Sequence, residues 1–266
     1  MEHAMFCFQC EQTAGCTGCT GKAGACGKSA GTAKLQDELT GALIGLARAT
    51  DHAPGVNAGT WQLLIEGLFT TVTNVSFHNE TIRAMISRVH AEKSRLVPGC
   101  AACAAACGRT SDYDMAQLWD AQEDIRSLKS LVLFGVRGMA AYAHHAMVLG
   151  YTDETVNRFF AKALFAVGED WDMEQLLPIV MEVGEKNLRC MALLDRANTE
   201  SYGMAEQTSD SIITTRRNGQ TIVAELFFNH GSTETFRDKL LKLVLADSTR
   251  LSASDGQEPE KTEILR

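Results

Sequence analysis

Five cysteines lie close together near the start of the chain, in a segment rich in glycine. Four of them follow the spacing Cys7-x2-Cys10-x8-Cys19-x6-Cys26, and Cys16 is a fifth thiol inside the longest gap. Thiolates are the ligands of iron–sulfur clusters and of many structural zinc sites. The residue type and the spacing therefore predict a metal centre held by a single loop.

The spacing favours an iron–sulfur cluster over its alternatives. Four-cysteine zinc sites usually pair two short C-x2-C units, whereas this loop contains only one. Frequent glycines let the backbone curl and aim N–H groups at sulfur, which stabilises a cluster's charge. Lys22 and Lys28 could offset part of that charge. Zinc and simple reduced thiols or a disulfide remain as alternatives at this point.

A second group of cysteines lies in an alanine-rich connector, at Cys100, Cys103 and Cys107. Three thiolates could bind a metal if His90 or Cys190 supplied a fourth ligand. Small Cys and Ala residues also pack closely where helices meet, and we favour this structural interpretation.

Composition limits the class of protein. The chain has 266 residues, of which 45% are hydrophobic, and a net charge of −8. This acidic balance argues against nucleic acid as a partner. No export signal and no apolar run of membrane-spanning length are found, so we expect a cytoplasmic protein with no membrane partner. Cysteines in that compartment remain thiols or bind metal.

The cysteine loop has few large apolar residues, so the elements that follow must position it. Apolar residues recur at helical spacing from Thr32, a possible N-cap, and predict three helices before Pro98. The first should end before Pro54, with one apolar face formed by Leu35, Leu39, Leu43 and Leu46. Three more are predicted between Asp112 and Gly203, and the apolar faces assigned to them include Leu131, Leu188 and Met191. Short connections between them suggest two three-helix bundles.

The character of the sequence changes at Met204. Two β-branched runs, at 211–215 and 221–228, flank Asn218-Gly219, the favoured pair for a hairpin turn. A helix is predicted at 233–245, and the polar end after it should be disordered. The chain is thus predicted to be mainly α, in five segments: a cluster-binding loop (1–31), a first helical bundle (32–98), a Cys-rich connector with a second bundle (99–203), a ββα tail (204–247) and a disordered end (248–266).

The cysteine loop resembles the opening of a known family. The run MFCFQCEQTA at 5–14, with GCT at 18–20 and CGK at 26–28, is similar to the start of the hybrid-cluster proteins, also called prismane proteins or hydroxylamine reductases. The similarity continues in shorter segments to about residue 203. In that family the matching cysteines bind an ordinary cluster, a [4Fe-4S] in the type with shorter spacings.

This resemblance implies that Cys7, Cys10, Cys19 and Cys26 are the cluster ligands and that Cys16 is a spare thiol. The gap between the third and fourth cysteines is one residue longer than the family's spacing. The predicted helices correspond to the family's two N-terminal three-helix bundles.

The resemblance does not extend to the family's catalytic half. Full-length members carry a hybrid Fe–S–O cluster on a His, two Glu and four Cys in two later α/β domains, and that cluster is not expected in this chain. From Met204 the sequence instead resembles transposon-encoded proteins of the TnpW type, over 214–245. The sequence is interpreted as a truncated hybrid-cluster protein fused to a mobile-element sequence.

Two functions from different classes follow. The first is an iron–sulfur redox protein that takes electrons from a donor protein and serves the reduction of hydroxylamine or related N–O species, provided that the missing half is supplied. No catalytic residue is assigned in this chain. The second is a non-catalytic helical module with a structural four-cysteine metal site.

Overall fold

The computed structural model describes residues 5–10, 17–51, 53–97, 111–203, 211–217 and 220–226. The chain divides into two units, Met1–Met204 and Ala205–Arg266. The described part of the first unit is mainly α, as predicted. Its helices are α1 (Ala30–Thr50), α2 (Ala58–Thr70), α3 (Asn79–Leu96), α4 (Met115–Trp119), α5 (Glu123–Val148), α6 (Glu154–Gly168) and α7 (Met173–Tyr202).

Helix α1 begins earlier than the sequence pattern indicated. Its N-cap is Ser29, whose hydroxyl accepts a hydrogen bond from the Thr32 N–H at 3.2 Å. The prediction of Thr32 as N-cap was wrong, because both residues can cap a helix and only the backbone shows which of them does. The helix ends at Thr50, before Pro54, as expected.

The seven helices share one apolar core. Helix α1 packs against α3 and α6, α2 packs against α5, and α5 runs along α7. Each helix contributes buried residues to the same core cluster. The finer division of these helices into two three-helix bundles stays a prediction.

Some apolar positions lie at the surface instead of in this core. Leu131 on α5 and Leu188 and Met191 on α7 are exposed, although the helical pattern had assigned them to buried faces. The short helix α4 was also not predicted. None of the helices in the described ranges combines the length and apolar composition needed to cross a bilayer.

In the second unit, strands β1 (Ser211–Arg217) and β2 (Gln220–Leu226) pair antiparallel. Ser211 lies opposite Leu226, and Arg217 lies opposite Gln220. The predicted turn residues 218–219, the predicted helix at 233–245 and the end of the chain lie outside the described residues. The ββα arrangement of the tail therefore stays a prediction.

Asp153 connects the start of α6 to α7, and its removal should destabilise the fold. Its carboxylate accepts the N–H of Thr155 at 2.9 Å and of Val156 at 3.1 Å, and pairs with Arg189 Nε at 2.6 Å. Burial favours a higher pKa for Asp153, but these three hydrogen bonds together hold the pKa below its ordinary value. We expect Asp153→Ala to lower the free energy of unfolding by about 1–2 kcal/mol at pH 7.

The pH dependence separates the charge of Asp153 from its capping role. A lowered folded-state pKa gives stability that is present above the unfolded value of about 3.9 and is lost as the pH falls through the folded value. Asp153→Asn keeps a capping oxygen, so its deficit should be smaller at pH 7 and should shrink toward pH 3. Urea unfolding measures both, with the exposed Asp195→Asn as control. A deficit that is independent of pH would contradict the ion pair.

Candidate metal centre

The backbone brings Cys7 and Cys19, the first and third of the four candidate ligands, side by side. In an isolated antiparallel bridge, the N–H of Cys7 donates to the carbonyl of Cys19 at 3.2 Å, and the N–H of Cys19 donates back at 2.7 Å. Gly18 has a φ of +84°, which favours glycine. A Cβ there would lie 3.3 Å from the Cys7 carbonyl oxygen. Glycine at 18 therefore lets two candidate ligands pair.

Cys26, the fourth candidate ligand, lies in a turn that also contacts Cys19, the third. The N–H of Gly24 donates to the carbonyl of Lys28 at 2.9 Å and closes the turn around Cys26. Inside it, the N–H of Ala25 donates to Cys19 Sγ at 3.4 Å. Backbone N–H groups aimed at sulfur stabilise metal-bound thiolates. The turn that contains Cys26 thus also supplies a hydrogen bond to the sulfur of Cys19.

Cys7 is the most deeply buried of the four candidate ligands, all of which are reduced cysteines. Burial raises the pKa of the Cys7 thiol, while a hydrogen bond from the Gln9 N–H and the charge of Lys28 oppose that rise. A metal binds the thiolate, so these two groups favour the form that a metal needs. Lys28 therefore lies where it can offset negative charge, as predicted, whereas Lys22 is exposed.

The assignment of all four ligands stays a prediction. Within the described ranges, no three Cys, His, Asp or Glu side chains are grouped as metal ligands. Cys16 lies in the stretch 11–16, outside those ranges. The donor chemistry nevertheless fits a metal–thiolate centre, because one loop carries four reduced cysteines and two of their sulfurs receive backbone N–H groups.

Buried polar side chains attach the loop to helix α1. Lys28 Nζ donates to Gln36 Oε1 and, at 3.5 Å, to Gln9 Oε1, and Gln9 Nε2 donates to Asp37 Oδ1. Gln36 Nε2 donates in turn to the carbonyl of Ser76 at 3.0 Å. Such a network fixes the loop on the helix core, because its buried donors and acceptors satisfy one another.

A buried arginine completes this network from helix α5. The side chain of Arg137 is only 5% exposed. Its guanidinium donates to Thr71 Oγ1, to the Gln9 carbonyl and to Thr40 Oγ1, at 3.1, 3.0 and 3.1 Å. Burial lowers the pKa of Arg137, and the negative charges of Asp37 and of the Cys7 and Cys10 thiolates oppose this. Arginine remains charged in proteins, so a buried cation faces the cysteine loop.

Sequence reasoning missed Arg137 as a residue of the site. The available signal was its position, since it follows the buried Val136 and lies one helical turn before Ala140 on the apolar face of α5. A charged residue on such a face requires partners. Only the fold shows that those partners come from the cysteine loop and from α1.

An open cleft borders the loop on the side of α4. Phe6 and Phe8, which flank Cys7, contact Trp119 with ring centroids 5.1 and 4.8 Å away. These rings form one wall of a cleft of about 560 Å³, and Asp114 and Asp120 lie at the two ends of α4 along it. The candidate centre therefore lies close to the protein surface.

The second cysteine group, at positions 100, 103 and 107, lies outside the described residues. Of its proposed outside ligands, Cys190 is fully buried on α7, where burial raises the pKa of its thiol to about 12. His90 Nε2 lies 2.7 Å from Asp112 Oδ2 and forms an ion pair with it when protonated. The structural interpretation of the three cysteines stays a prediction.

Comparison with known proteins gives two family matches. Residues 5–225 match the model of the Prismane/CO dehydrogenase family, and residues 213–247 match that of the transposon-encoded protein TnpW. The first match continues beyond residue 203, where the similarity was expected to end, and overlaps the second. The second agrees with the resemblance noted in the tail.

The most similar relatives include proteins named hydroxylamine reductase. The chain is 36% identical to that of Methanococcus vannielii over 233 residues, which cover 78% of this chain and 42% of the relative. It is 39% identical to that of Porphyromonas gingivalis over 234 residues, which cover 80% and 42%.

The matched region thus spans about two-fifths of the length of these relatives. The family match itself covers most of the chain, including the cysteine loop and all seven helices of the first unit. This chain belongs to the Prismane/CO dehydrogenase family.

Proposed function

We propose that the chain is an iron–sulfur redox protein of the hydroxylamine reductase type, with a [4Fe-4S] cluster on Cys7, Cys10, Cys19 and Cys26. The observation that carries this proposal is the loop of four reduced cysteines, which lies against the buried cations Lys28 and Arg137. An anionic metal–thiolate centre is the group that such surroundings suit.

Each part of the loop has a role in this proposal. The Cys7–Cys19 bridge holds two sulfurs in place, and the N–H groups of Gln9 and Ala25 donate to them. When bound, the cluster supplies a carrier of single electrons. The buried network on α1 shields the side of the loop that faces the helix from solvent, because Gln9, Lys28 and Gln36 are each at most 5% exposed.

The substrate proposal comes from the relatives. They are named hydroxylamine reductases, so we propose that electrons held by this chain serve the reduction of hydroxylamine or a related N–O compound. Because the matched region spans about two-fifths of those relatives, we assign the electron-transfer part to it. A cytoplasmic location and an electron donor protein belong to the same proposal.

A structural metal site is the second candidate. The Cys7–Cys19 backbone bridge ties the loop to itself, which is also what a structural zinc site does for a segment without a core of its own. In that case the chain would be a non-catalytic helical module whose cysteine loop is held together by a structural metal ion, and it would be joined to a mobile-element sequence.

Metal analysis separates the two candidates. We expect protein purified under anaerobic conditions to be brown and to contain about four iron atoms and about four sulfides per chain, as a cubane requires. Iron, zinc and acid-labile sulfide are measured on the same sample, together with the visible spectrum. Colourless protein with one zinc per chain would contradict the redox proposal and support the structural one.

A further inference from the structure

Two buried cations lie against the cysteine loop, and the described residues around them hold fewer carboxylates than their charge requires. Arg137 is 5% exposed and Lys28 is 4% exposed. The three hydrogen bonds of Arg137 and the two of Lys28 all go to neutral acceptors. Among the described residues, neither cation forms an ion pair with a carboxylate. Asp37 interacts electrostatically with both cations, and its carboxylate accepts a hydrogen bond from Gln9.

The residues that the structure describes leave this charge unbalanced. Even with Asp37 ionised, two cations and one anion leave a net positive charge in a buried region. A buried charge is costly unless it is paired, so a further anion is needed nearby. Arg137 interacts electrostatically with Cys7 and Cys10, and Lys28 interacts with Cys7. Thiolates at these two positions would supply the missing negative charge.

We propose that Arg137 and Lys28 are the fixed counter-charges of the metal–thiolate centre and that they set its reduction potential. The proposal rests on the proposed function for its redox consequence. Reduction brings one electron from an external donor into the centre and adds one negative charge, with no accompanying proton or bond change. Fixed positive charges stabilise that product, so they raise the potential. Arg137 and Lys28 act through their positive charge, and neither is a ligand of the metal.

The chain offers a matched control in Lys129. This lysine is also 4% exposed and lies on α5, two helical turns before Arg137. Its ammonium donates to the carbonyl of Glu169 at 2.8 Å, away from the cysteine loop. Lys129→Gln therefore removes a buried cation of similar exposure without changing the charge around the cysteines.

The test is an anaerobic redox titration of the iron-loaded full chain, followed by electron paramagnetic resonance. We expect Arg137→Gln and Lys28→Gln each to shift the one-electron equilibrium about tenfold toward the oxidised form, which is about 59 mV more negative. Lys129→Gln should keep the wild-type potential, and so should Lys28→Arg, which preserves the charge. Equal potentials in wild type, Arg137→Gln and Lys28→Gln would overturn the proposal.

A second measurement decides the case if a variant loses its metal or the wild type holds zinc. Arg137→Gln and Lys28→Gln each lose hydrogen bonds in both forms, but they also neutralise a buried charge that the metal-free protein leaves unpaired. They should therefore lower the melting temperature of the loaded protein more than that of the metal-free protein. Equal losses in both forms would mean an ordinary structural role and would overturn the proposal. Zinc without iron in the wild type would contradict the redox function alone, because a zinc–thiolate centre is also anionic and this comparison still applies.

Discussion

We expect a chain with serine at any one of Cys7, Cys10, Cys19 or Cys26 to lose its cluster completely. A serine hydroxyl is a much poorer ligand for iron than a thiolate, and a cubane with three protein ligands exposes one iron to solvent. The brown colour should disappear, and iron should fall from about four atoms per chain to well below one. Metal analysis and the visible spectrum of anaerobically purified variants check this.

Two other cysteines serve as controls for this series. Cys190→Ala removes a thiol that is fully buried on α7, so it should lower stability through the small cavity it leaves while retaining iron. Cys16→Ser should also retain iron, since the family resemblance makes Cys16 the spare thiol of the loop. If Cys16→Ser bleaches the protein and Cys19→Ser does not, then the assignment of ligands is wrong.

The helices were largely predictable from the sequence, because burial follows the helical period. Leu35, Leu39, Leu43 and Leu46 were assigned to one face of a helix, and all four are buried on α1. The start of the same helix was misplaced, since Ser29 and Thr32 are both residue types that cap helices and the apolar pattern does not choose between them. Periodicity identifies which residues share a face but does not fix where a helix begins.

The surroundings of the cysteine loop could be predicted only in part. Lys28 lies close in sequence to the candidate ligands, so its role was visible from the pattern. Arg137 is distant in sequence, and its role depends on Gln9, Thr40 and Thr71 meeting at one point. Met191 was assigned to the core from its spacing on the helix alone. It is exposed, because no described element of the first unit covers it. These features depend on tertiary contacts between elements far apart in the chain.

The second large effect concerns Gly41, where helix α1 touches another segment of backbone. The N–H of Tyr113 donates to the Gly41 carbonyl at 3.0 Å. A Cβ on Gly41 would lie 2.1 Å from the Tyr113 carbonyl oxygen. This is far shorter than any non-bonded contact between carbon and oxygen, so the two backbone segments would have to move apart. A change of rotamer cannot relieve this overlap, because the backbone fixes the position of both the Cβ and the carbonyl oxygen. Glycine is therefore required for this approach.

We expect Gly41→Ala to lower the free energy of unfolding by about 2 kcal/mol, since the overlap outweighs the better helix propensity of alanine. For a unit of this size the melting temperature should fall by about 4–8 °C. Some iron should also be lost, because the adjacent Thr40 accepts the hydrogen bond of Arg137 and α1 must move. Thermal unfolding and metal analysis of the same samples measure both effects.

Gly184→Ala is the matched control for this prediction. Gly184 also lies inside a helix, α7, but it is exposed and a Cβ there meets no atom within 4 Å. The change in helix propensity is the same at both positions, so alanine at 184 should stabilise the protein by up to about 1 kcal/mol. The difference between the two variants, about 3 kcal/mol, isolates the contact with Tyr113. If Gly41→Ala proved as stable as Gly184→Ala, then α1 would not approach Tyr113 this closely, and the placement of Thr40 beside Arg137 would have to be revised with it.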